Sequence, residues 1–414
     1  MRSKYLSVIG MKSRFLQLST GILFLTLLSA LARDQAARFP LMAWDYAYDK
    51  TTLKSMHDCG VNMVAFVPPA LLDACQKNEI KAIVFDEGVA GHDWAVSFNG
   101  DAACSNLPAL IKKTGRHPAV AGYFLKDEPV AGEFPAVAKA SAKVKELAPG
   151  KWPYVNLFPG EGESYDAYLE QFITTCQPTV VSYDRYVLAE DGAFGPVFWS
   201  NIAQVRDAAL KHKLPFWNVV LTAPHWHYRE LTPVDVRLQI FGSLVYGVSG
   251  VSFYRFRSAM PLIHSAPDLG NFRMAPLDQF GEKTPTWDWL RNVNRQVQNM
   301  ASVLLKLRSD DVYHFGSVPA RNHGPTDKTL VKSFAQADWE MVAGDFTHED
   351  GGRWVMIVNK SLKHSYPCNP RFNVPPKGLQ YISPWDGKVR PFPSHNIYNI
   401  FWLAPGQGVL LRLQ

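Results

Sequence analysis

The sequence has few cysteines and no block of like charge, and these absences exclude several classes of protein. Its 414 residues include five cysteines, none in the Cys-x-x-Cys spacing typical of zinc and redox sites. The 43 basic and 37 acidic residues leave a net charge of +6 without a basic cluster, which argues against nucleic-acid binding. We therefore expect no metal, no cofactor and no nucleic-acid partner.

The cysteines are also far apart in sequence. Export would permit disulfides among Cys59, Cys75 and Cys104, but the odd total leaves at least one thiol unpaired in a monomer. Together with Cys176 and Cys368, they are interpreted as free, buried thiols.

The first 32 residues have the features of an export signal. Four basic side chains precede residue 15, a short apolar core follows at Gly21–Leu28, and Ala30-Leu-Ala32 is a small-x-small cleavage site. The apolar core is short for a membrane span. The pattern predicts a signal peptide over 1–32 and a secreted or periplasmic protein without stable membrane insertion. An uncleaved anchor is the alternative.

From Phe39 onward, short apolar runs alternate with helical patterns such as Phe134–Leu147 and Pro233–Tyr246, which is typical of βα units around a parallel sheet. The predicted strands are Pro40–Tyr46, Asn62–Val67, Ala82–Asp86, Ala119–Lys126, Tyr154–Phe158, Val180–Tyr183, Phe216–Leu221 and Gly250–Phe256. Eight such strands over roughly 250 residues predict a (β/α)8 TIM barrel over 33–300.

After about residue 301 the pattern becomes that of antiparallel strands separated by turns. Runs at 354–359, 379–383 and 408–413 alternate with turn signals such as Pro384-Trp-Asp-Gly387. We predict a small C-terminal β-sandwich domain over 301–414. Its last strand is assigned to packing against the barrel, with sugar binding as the alternative.

The stretch Lys126-Asp-Glu-Pro129 stops an apolar strand abruptly, since proline cannot continue it. In a parallel barrel the carboxyl ends of the strands form the mouth, where side chains face a ligand. Burying charge there without a purpose is costly. Asp127 and Glu128 are therefore candidate site residues, and a salt bridge of either one with Lys126 is the structural alternative.

The other strand ends carry carboxylates, amides and aromatic rings. This combination suits a sugar, which has an apolar face and a rim of hydroxyl groups. The candidate substrate-binding residues are Trp44, Asp45, Asp86, Asp127, Asn156, Tyr183, Asn218, His225, His227 and Tyr254.

Gly122-Tyr-Phe-Leu-Lys-Asp-Glu-Pro129 resembles the strand-four motif of the clan of (β/α)8 retaining glycosidases, in which Asn-Glu-Pro supplies the acid/base glutamate. The segment 238–254 is similar to the helix-seven to strand-eight region of bacterial relatives of β-galactosidases. The resemblance implies a glycoside hydrolase that cleaves an oligo- or polysaccharide. It implies that Glu128 is the general acid/base and that Asp127 replaces the asparagine that holds a substrate hydroxyl.

The sequence departs from that clan at strand seven, where the nucleophile is expected. Residues 215–224 contain no acid, and Glu230 lies several positions later. Asp184, at the end of strand six, is the predicted second carboxylate, with Asp86 and Glu87 behind it. An ion pair of Asp184 with Arg185 or Arg255 is the structural alternative.

Two other functions fit the same sequence. His225 and His227 could be metal ligands in a metal-dependent hydrolase, although no third ligand is fixed by the sequence. The missing acid on strand seven also fits a barrel that binds carbohydrate without cleaving it.

Overall fold

Eight parallel strands close into a barrel in which each strand pairs with its sequence neighbours and the first pairs with the last. The structure is a computed structural model that describes residues 38–91, 96–258, 272–393 and 401–414. The predicted signal peptide lies outside the described residues. The strands are β1 Leu41–Tyr46, β2 Met63–Val67, β3 Lys81–Val84, β4 Val120–Asp127, β5 Trp152–Leu157, β6 Val181–Asp184, β7 Phe216–Leu221 and β8 Gly250–Tyr254. The TIM barrel is confirmed, and each predicted strand end lies within two residues of its observed position.

Helices connect the strands and cover the outside of the barrel. They are α1 Lys50–Asp58, α2 Leu72–Lys77, α3 Gly100–Thr114, α4 Phe134–Leu147, α5 Gly162–Cys176, α6 Val197–Lys211, α7 Pro233–Leu244 and α8 Pro285–Leu304. The start of α7 follows from its sequence. Thr232 is the N-cap, Pro233 takes the first helical position, and the Asp235 carboxylate accepts hydrogen bonds from the Thr232 backbone N–H and hydroxyl.

Alternation along each strand separates the core inside the barrel from the core between strands and helices. On β5, Trp152 and Tyr154 pack with the interior cluster, whereas Val155 and Leu157 pack with the helices. Asn156 lies two residues after Tyr154 on the same strand, so its side chain is also on the interior side of the barrel. This alternation decides which strand-end residues reach the mouth of the barrel.

The C-terminal region consists of antiparallel strands. They are β9 Leu307–Phe315, β10 Val331–Ser333, β11 Met341–His348, β12 Arg353–Asn359, β13 Tyr366–Pro367, β14 Arg371–Phe372, β15 Leu379–Ile382, β16 Val389–Pro391, β17 Trp402–Leu403 and β18 Gly408–Leu413. Six of them form one sheet in the order β16-β15-β18-β12-β11-β9, and two small sheets pair β10 with β14 and β13 with β17. The sequence therefore correctly predicted a β domain after the barrel.

One face of the large sheet packs on the barrel through α7. Leu410 and Met356 belong to the same apolar cluster as Phe241, and the opposite face covers a second cluster that includes Tyr313. At Gly408 a Cβ would lie 2.6 Å from the Phe241 ring, so only glycine allows this approach. The last strand therefore packs against the barrel.

The five cysteines are free thiols, and all except Cys104 are buried. Burial raises the pKa of the Cys75 and Cys176 thiols to about 12, which suppresses the reactive thiolate. Over the ranges that the structure describes, no helix combines the length and apolar character needed to cross a membrane.

Candidate active site

The end of β4 is held in an unusual backbone conformation at Glu128. Its φ is +46°, in the left-handed region that non-glycine residues rarely adopt, and it directly precedes Pro129. The Glu128 N–H donates to the Asn156 carbonyl oxygen at 2.8 Å, and the Tyr168 hydroxyl donates to the Pro129 carbonyl oxygen at 2.7 Å. Bonds from β5 and α5 thus fix the turn. Such strain is typical of functional sites.

Two carboxyl groups, those of Asp127 and Asp184, meet at the side-chain amide of Asn156, and the charge of Glu128 acts on both of them. The Asn156 Nδ2 donates to Asp184 Oδ1 at 2.8 Å and lies 3.5 Å from Asp127 Oδ1. Asp127 and Asp184 are 9% and 7% exposed, and Glu128 is half-buried beside them. The ends of β4 and β6 therefore contribute one acidic cluster, and β5 lies between them.

Burial and mutual repulsion both raise the pKa values in this cluster. For Asp184, burial raises the pKa well above its usual range and the Glu128 charge adds to the effect, while the Asn156 hydrogen bond opposes it. The pKa of Asp127 is raised by burial and then by the charges of Glu128 and Asp184. Burial also raises the pKa of Glu128, against the opposing charge of Lys126. The cluster therefore retains protons at a higher pH than isolated carboxyl groups do.

The neighbouring cations form ion pairs with other acids. Lys126 is fully buried, and its ammonium donates to the Val96 carbonyl oxygen at 2.9 Å and lies 3.8 Å from Glu133. The two arginines considered as partners of Asp184 bind elsewhere: Arg185 lies 3.3 Å from Glu161 and Arg255 lies 3.2 Å from Asp45.

Aromatic rings from the loops after β6 and β7 and from the end of β8 form a wall next to the acids. Tyr186 and Tyr254 stack with centroids 5.5 Å apart, and His225 lies 5.1 Å from both Tyr228 and Tyr254. Trp44 on β1 contacts Tyr254 at 5.6 Å. Burial lowers the pKa of His225 to about 4, so its imidazole is neutral at pH 7. The wall is an uncharged, partly apolar surface.

Two predicted binding residues point away from the mouth. Tyr183 is fully buried in the cluster between the strands and the helices, and the Asn218 amide donates to the Ser243 hydroxyl of α7 at 3.0 Å. The prediction that they bind substrate is wrong, because both occupy outward-facing positions of their strands.

His225 and His227 do not converge. His225 is 3% exposed among the aromatic rings, whereas the His227 side chain is 89% exposed and lies 3.8 Å from Glu190. Across the part of the chain that the structure describes, no group of three His, Cys, Asp or Glu side chains could hold a metal ion.

Asp45 is an anchor for the chain after β8. Its carboxylate accepts hydrogen bonds from the backbone N–H groups of Phe256 and Arg257, from the Tyr48 hydroxyl and from the Arg255 guanidinium. The predicted role in binding substrate is therefore wrong, because these donors occupy both oxygens of a carboxylate that is 2% exposed.

Asp86 lies in a cleft of about 510 Å³ at the carboxyl ends of β1, β2 and β3. The cleft is lined by Tyr46, Ala47, Tyr48, Pro68, Pro69, Phe85, Asp86, Glu87 and Gly88. Asp86 therefore lies in a cleft that also holds aromatic rings, and its role in binding substrate stays a prediction. Because β3 pairs with β4, whose end carries Asp127 and Glu128, this cleft lies next to the strand of the acidic cluster.

Sequence reasoning missed the polar side chains beneath the acids. The Tyr154 and Ser182 hydroxyls are 2.8 Å apart, and the Ser182 hydroxyl donates to Asn156 Oδ1 at 2.9 Å. A signal was present, because Tyr154 and Ser182 each precede a site residue on the same strand by two positions and so share its face.

Comparison with solved structures identifies glycoside hydrolases that share this fold. A glycoside hydrolase matches with a TM-score of 0.57 at 12% identity, over 92% of this chain and 96% of its own. A glycoside hydrolase family 5 protein from Bacteroides vulgatus also gives a TM-score of 0.57, at 11% identity over 91% and 88% of the two chains. A β-galactosidase from the psychrophilic Marinomonas ef1 matches with a TM-score of 0.49 at 12% identity. The match covers 63% of the present chain and 60% of the length of the β-galactosidase. No protein-family model matches the sequence, and a comparison with curated proteins gives no match. The chain thus has the barrel-plus-β-domain architecture of solved glycoside hydrolases.

Proposed function

We propose that this protein is a glycoside hydrolase that cleaves an oligo- or polysaccharide by two-carboxylate catalysis, without a cofactor. The observation that carries the proposal is the acidic cluster of Asp127, Glu128 and Asp184 at the mouth of the barrel, in which the Asn156 amide contacts Asp127 and Asp184. Glycosidic bond cleavage needs one carboxyl group to protonate the leaving oxygen and a second to attack the sugar or activate water.

Glu128 is the proton donor in this proposal. Its raised pKa keeps it protonated to a higher pH than a free glutamate, and it is the least buried of the three acids. Its fixed backbone limits the positions available to the carboxyl group, which favours an oriented proton transfer.

Asp184 is the proposed second carboxylate. The residues that follow β7 contain no acid before Glu230, which is exposed. Asp184 is the acid that β6 places beside Glu128, and the Asn156 N–H stabilises its charged form. Asp127 is assigned to holding a substrate hydroxyl.

The surroundings suit a neutral sugar. The Tyr186 and Tyr254 rings offer flat apolar surfaces, and the cleft at β1–β3 has room for further sugar units beside the acids. The fold shared with solved glycoside hydrolases supports the same reaction class.

The test is release of reducing ends from a panel of plant and algal polysaccharides and their oligosaccharides. The wild type should release reducing ends, and Glu128→Gln should lower turnover by at least about a hundredfold, the usual effect of losing a positioned acid. Glu163→Gln is the control, since it removes an exposed carboxylate from the first turn of α5. Retention on a polysaccharide without release would refute hydrolysis and support the carbohydrate-binding alternative.

The proposal includes export and removal of residues 1–32. Mass spectrometry of protein exported by a bacterial host should give a mature chain that begins at Arg33. An intact N-terminus in the membrane fraction would instead indicate an anchor.

A further inference from the structure

We propose that Tyr154 and Ser182 are positioning residues that orient the Asn156 amide so that its N–H group faces Asp184. This inference rests on the proposed function, in which Asp184 is the second carboxylate. The three side chains form a hydrogen-bonded series: Tyr154 hydroxyl to Ser182 Oγ at 2.8 Å, Ser182 hydroxyl to Asn156 Oδ1 at 2.9 Å, and Asn156 Nδ2 to Asp184 Oδ1 at 2.8 Å.

Proton counting fixes the direction of the series. A serine hydroxyl has one proton to donate, and here it is donated to the Asn156 carbonyl oxygen. The Tyr154 hydroxyl must therefore be the donor to Ser182. With its oxygen held by Ser182, the Asn156 amide directs its N–H group toward Asp184. The opposite orientation would place the amide oxygen against a carboxylate oxygen.

Burial makes this orientation consequential. Tyr154 and Ser182 are fully buried and Asn156 is 1% exposed, so water does not readily replace a lost partner. The strand register produces the arrangement. Asp127 pairs with Asn156 across β4 and β5, and Asn156 pairs with Ser182 across β5 and β6, which places the three residues at one level of the barrel.

The ionisation of Asp184 also depends on other groups around it. The charged groups that interact with Asp184 are Asp127 and Glu128 at the end of β4 and Arg185 after β6. The tyrosines whose hydroxyl groups interact with it are Tyr154 from β5, Tyr165 from α5, Tyr183 from β6, Tyr186 and Tyr228 from the loops after β6 and β7, and Tyr254 from β8. Glu128 and burial favour the protonated form, while the Asn156 N–H and Arg185 favour the carboxylate. Loss of the oriented N–H removes one of the interactions that favour the charged form.

The experiment measures the pKa of the Asp184 carboxyl group directly, by NMR titration of protein labelled with ¹³C at the aspartate carboxyl carbon. The Asp184 signal is assigned from its absence in Asp184→Asn. Ser182→Ala and Tyr154→Phe should each raise this pKa, by about one pH unit for Ser182→Ala. The acidic limb of the kcat/KM profile should move up by the same amount.

Tyr123→Phe is the matched control. It also removes a buried tyrosine hydroxyl from a barrel strand, but that hydroxyl bonds to Thr114 of α3, outside the barrel interior. Its titration should equal that of the wild type. An unchanged Asp184 pKa in both Ser182→Ala and Tyr154→Phe would overturn the positioning role, as would an equal shift in Tyr123→Phe. If the Asp184 pKa moves as expected while no carbohydrate is cleaved by the wild type, the positioning role stands and the proposed hydrolase function falls.

Discussion

Replacing Asp184 by asparagine should make the protein more stable at neutral pH while abolishing its activity. The substitution is nearly isosteric, and the new amide can present its oxygen to the Asn156 N–H that Asp184 now accepts at 2.8 Å. What it removes is a negative charge buried beside two other acids. Stability gained with loss of function is expected where an active site holds groups in an unfavourable state.

The geometry sets the scale of the effect. Asn156 Nδ2 lies 2.8 Å from Asp184 Oδ1 and 3.5 Å from Asp127 Oδ1, so the sum of these distances, 6.3 Å, is the most that can separate the two oxygens. Two full charges at that separation repel by about 2.5 kcal/mol at an effective dielectric constant of about 20. Partial protonation of the cluster relieves some of this repulsion, so we expect a gain of about 1 to 2.5 kcal/mol in unfolding free energy at pH 8.

The sign of the pH dependence follows from the raised pKa values. A carboxyl group with a raised pKa binds more protons in the folded state than in the unfolded state, so stability falls as pH rises through the folded-state pKa. This contribution is fully present below the ordinary carboxyl pKa of about 4. The advantage of Asp184→Asn should therefore be small at pH 4 and should grow toward pH 8.

Urea denaturation of both proteins between pH 4 and pH 8 measures this difference. Asp101→Asn is the control, because Asp101 is exposed and paired with Lys139, which lowers its pKa, so its replacement should give no gain. A variant that is less stable than the wild type at pH 8, or whose advantage does not change with pH, would refute the assignment of Asp184 to a repulsive cluster.

Three further predictions concern the parts that support the site. Asp45→Ala should cost about 3–5 kcal/mol in urea denaturation because it leaves Arg255 buried without its partner, and an unchanged midpoint would contradict the anchor role. Trp226→Ala should raise KM on a polysaccharide several-fold without changing kcat or the melting temperature, because this ring is 51% exposed beside His225; an unchanged KM would exclude it from binding. Gly408→Ala should lower stability by about 1–3 kcal/mol through overpacking against Phe241, whereas a neutral result in thermal unfolding would show that the contact relaxes.

The fold was predictable because its local signals agree with one another. Apolar runs of strand length, bounded by turn residues, located all eight barrel strands, and the cap at Thr232 located α7. The β domain was predictable for the same reason. Strand ends were less certain, because β3 stops at Val84 although its apolar run continues through Phe85.

Side-chain direction at the mouth was harder to predict. Tyr183 and Asp184 are adjacent in sequence, yet one is packed against the helices and the other lies in the acidic cluster. Only the alternation of side chains between the two faces of a strand distinguishes them, and a register shift can interrupt this alternation. One occurs between Phe124 and Lys126 in the pairing of β4 with β5, directly before the motif that carries Glu128. Position at a strand end therefore identified candidates without deciding which of them face inward.

The role of Asn156 illustrates why a list of strand-end residues does not describe a site. As a single residue, a buried asparagine at the mouth of a barrel suggests a ligand for a substrate hydroxyl. In the structure its amide oxygen is taken by Ser182 and its N–H group by Asp184, so this side chain connects the floor of the barrel to the acids. The connection depends on β4, β5 and β6 being in one register, which only tertiary structure supplies. Asp184 is therefore distinguished from Asp86 and Glu230 by the amide oriented toward it as well as by its position on β6.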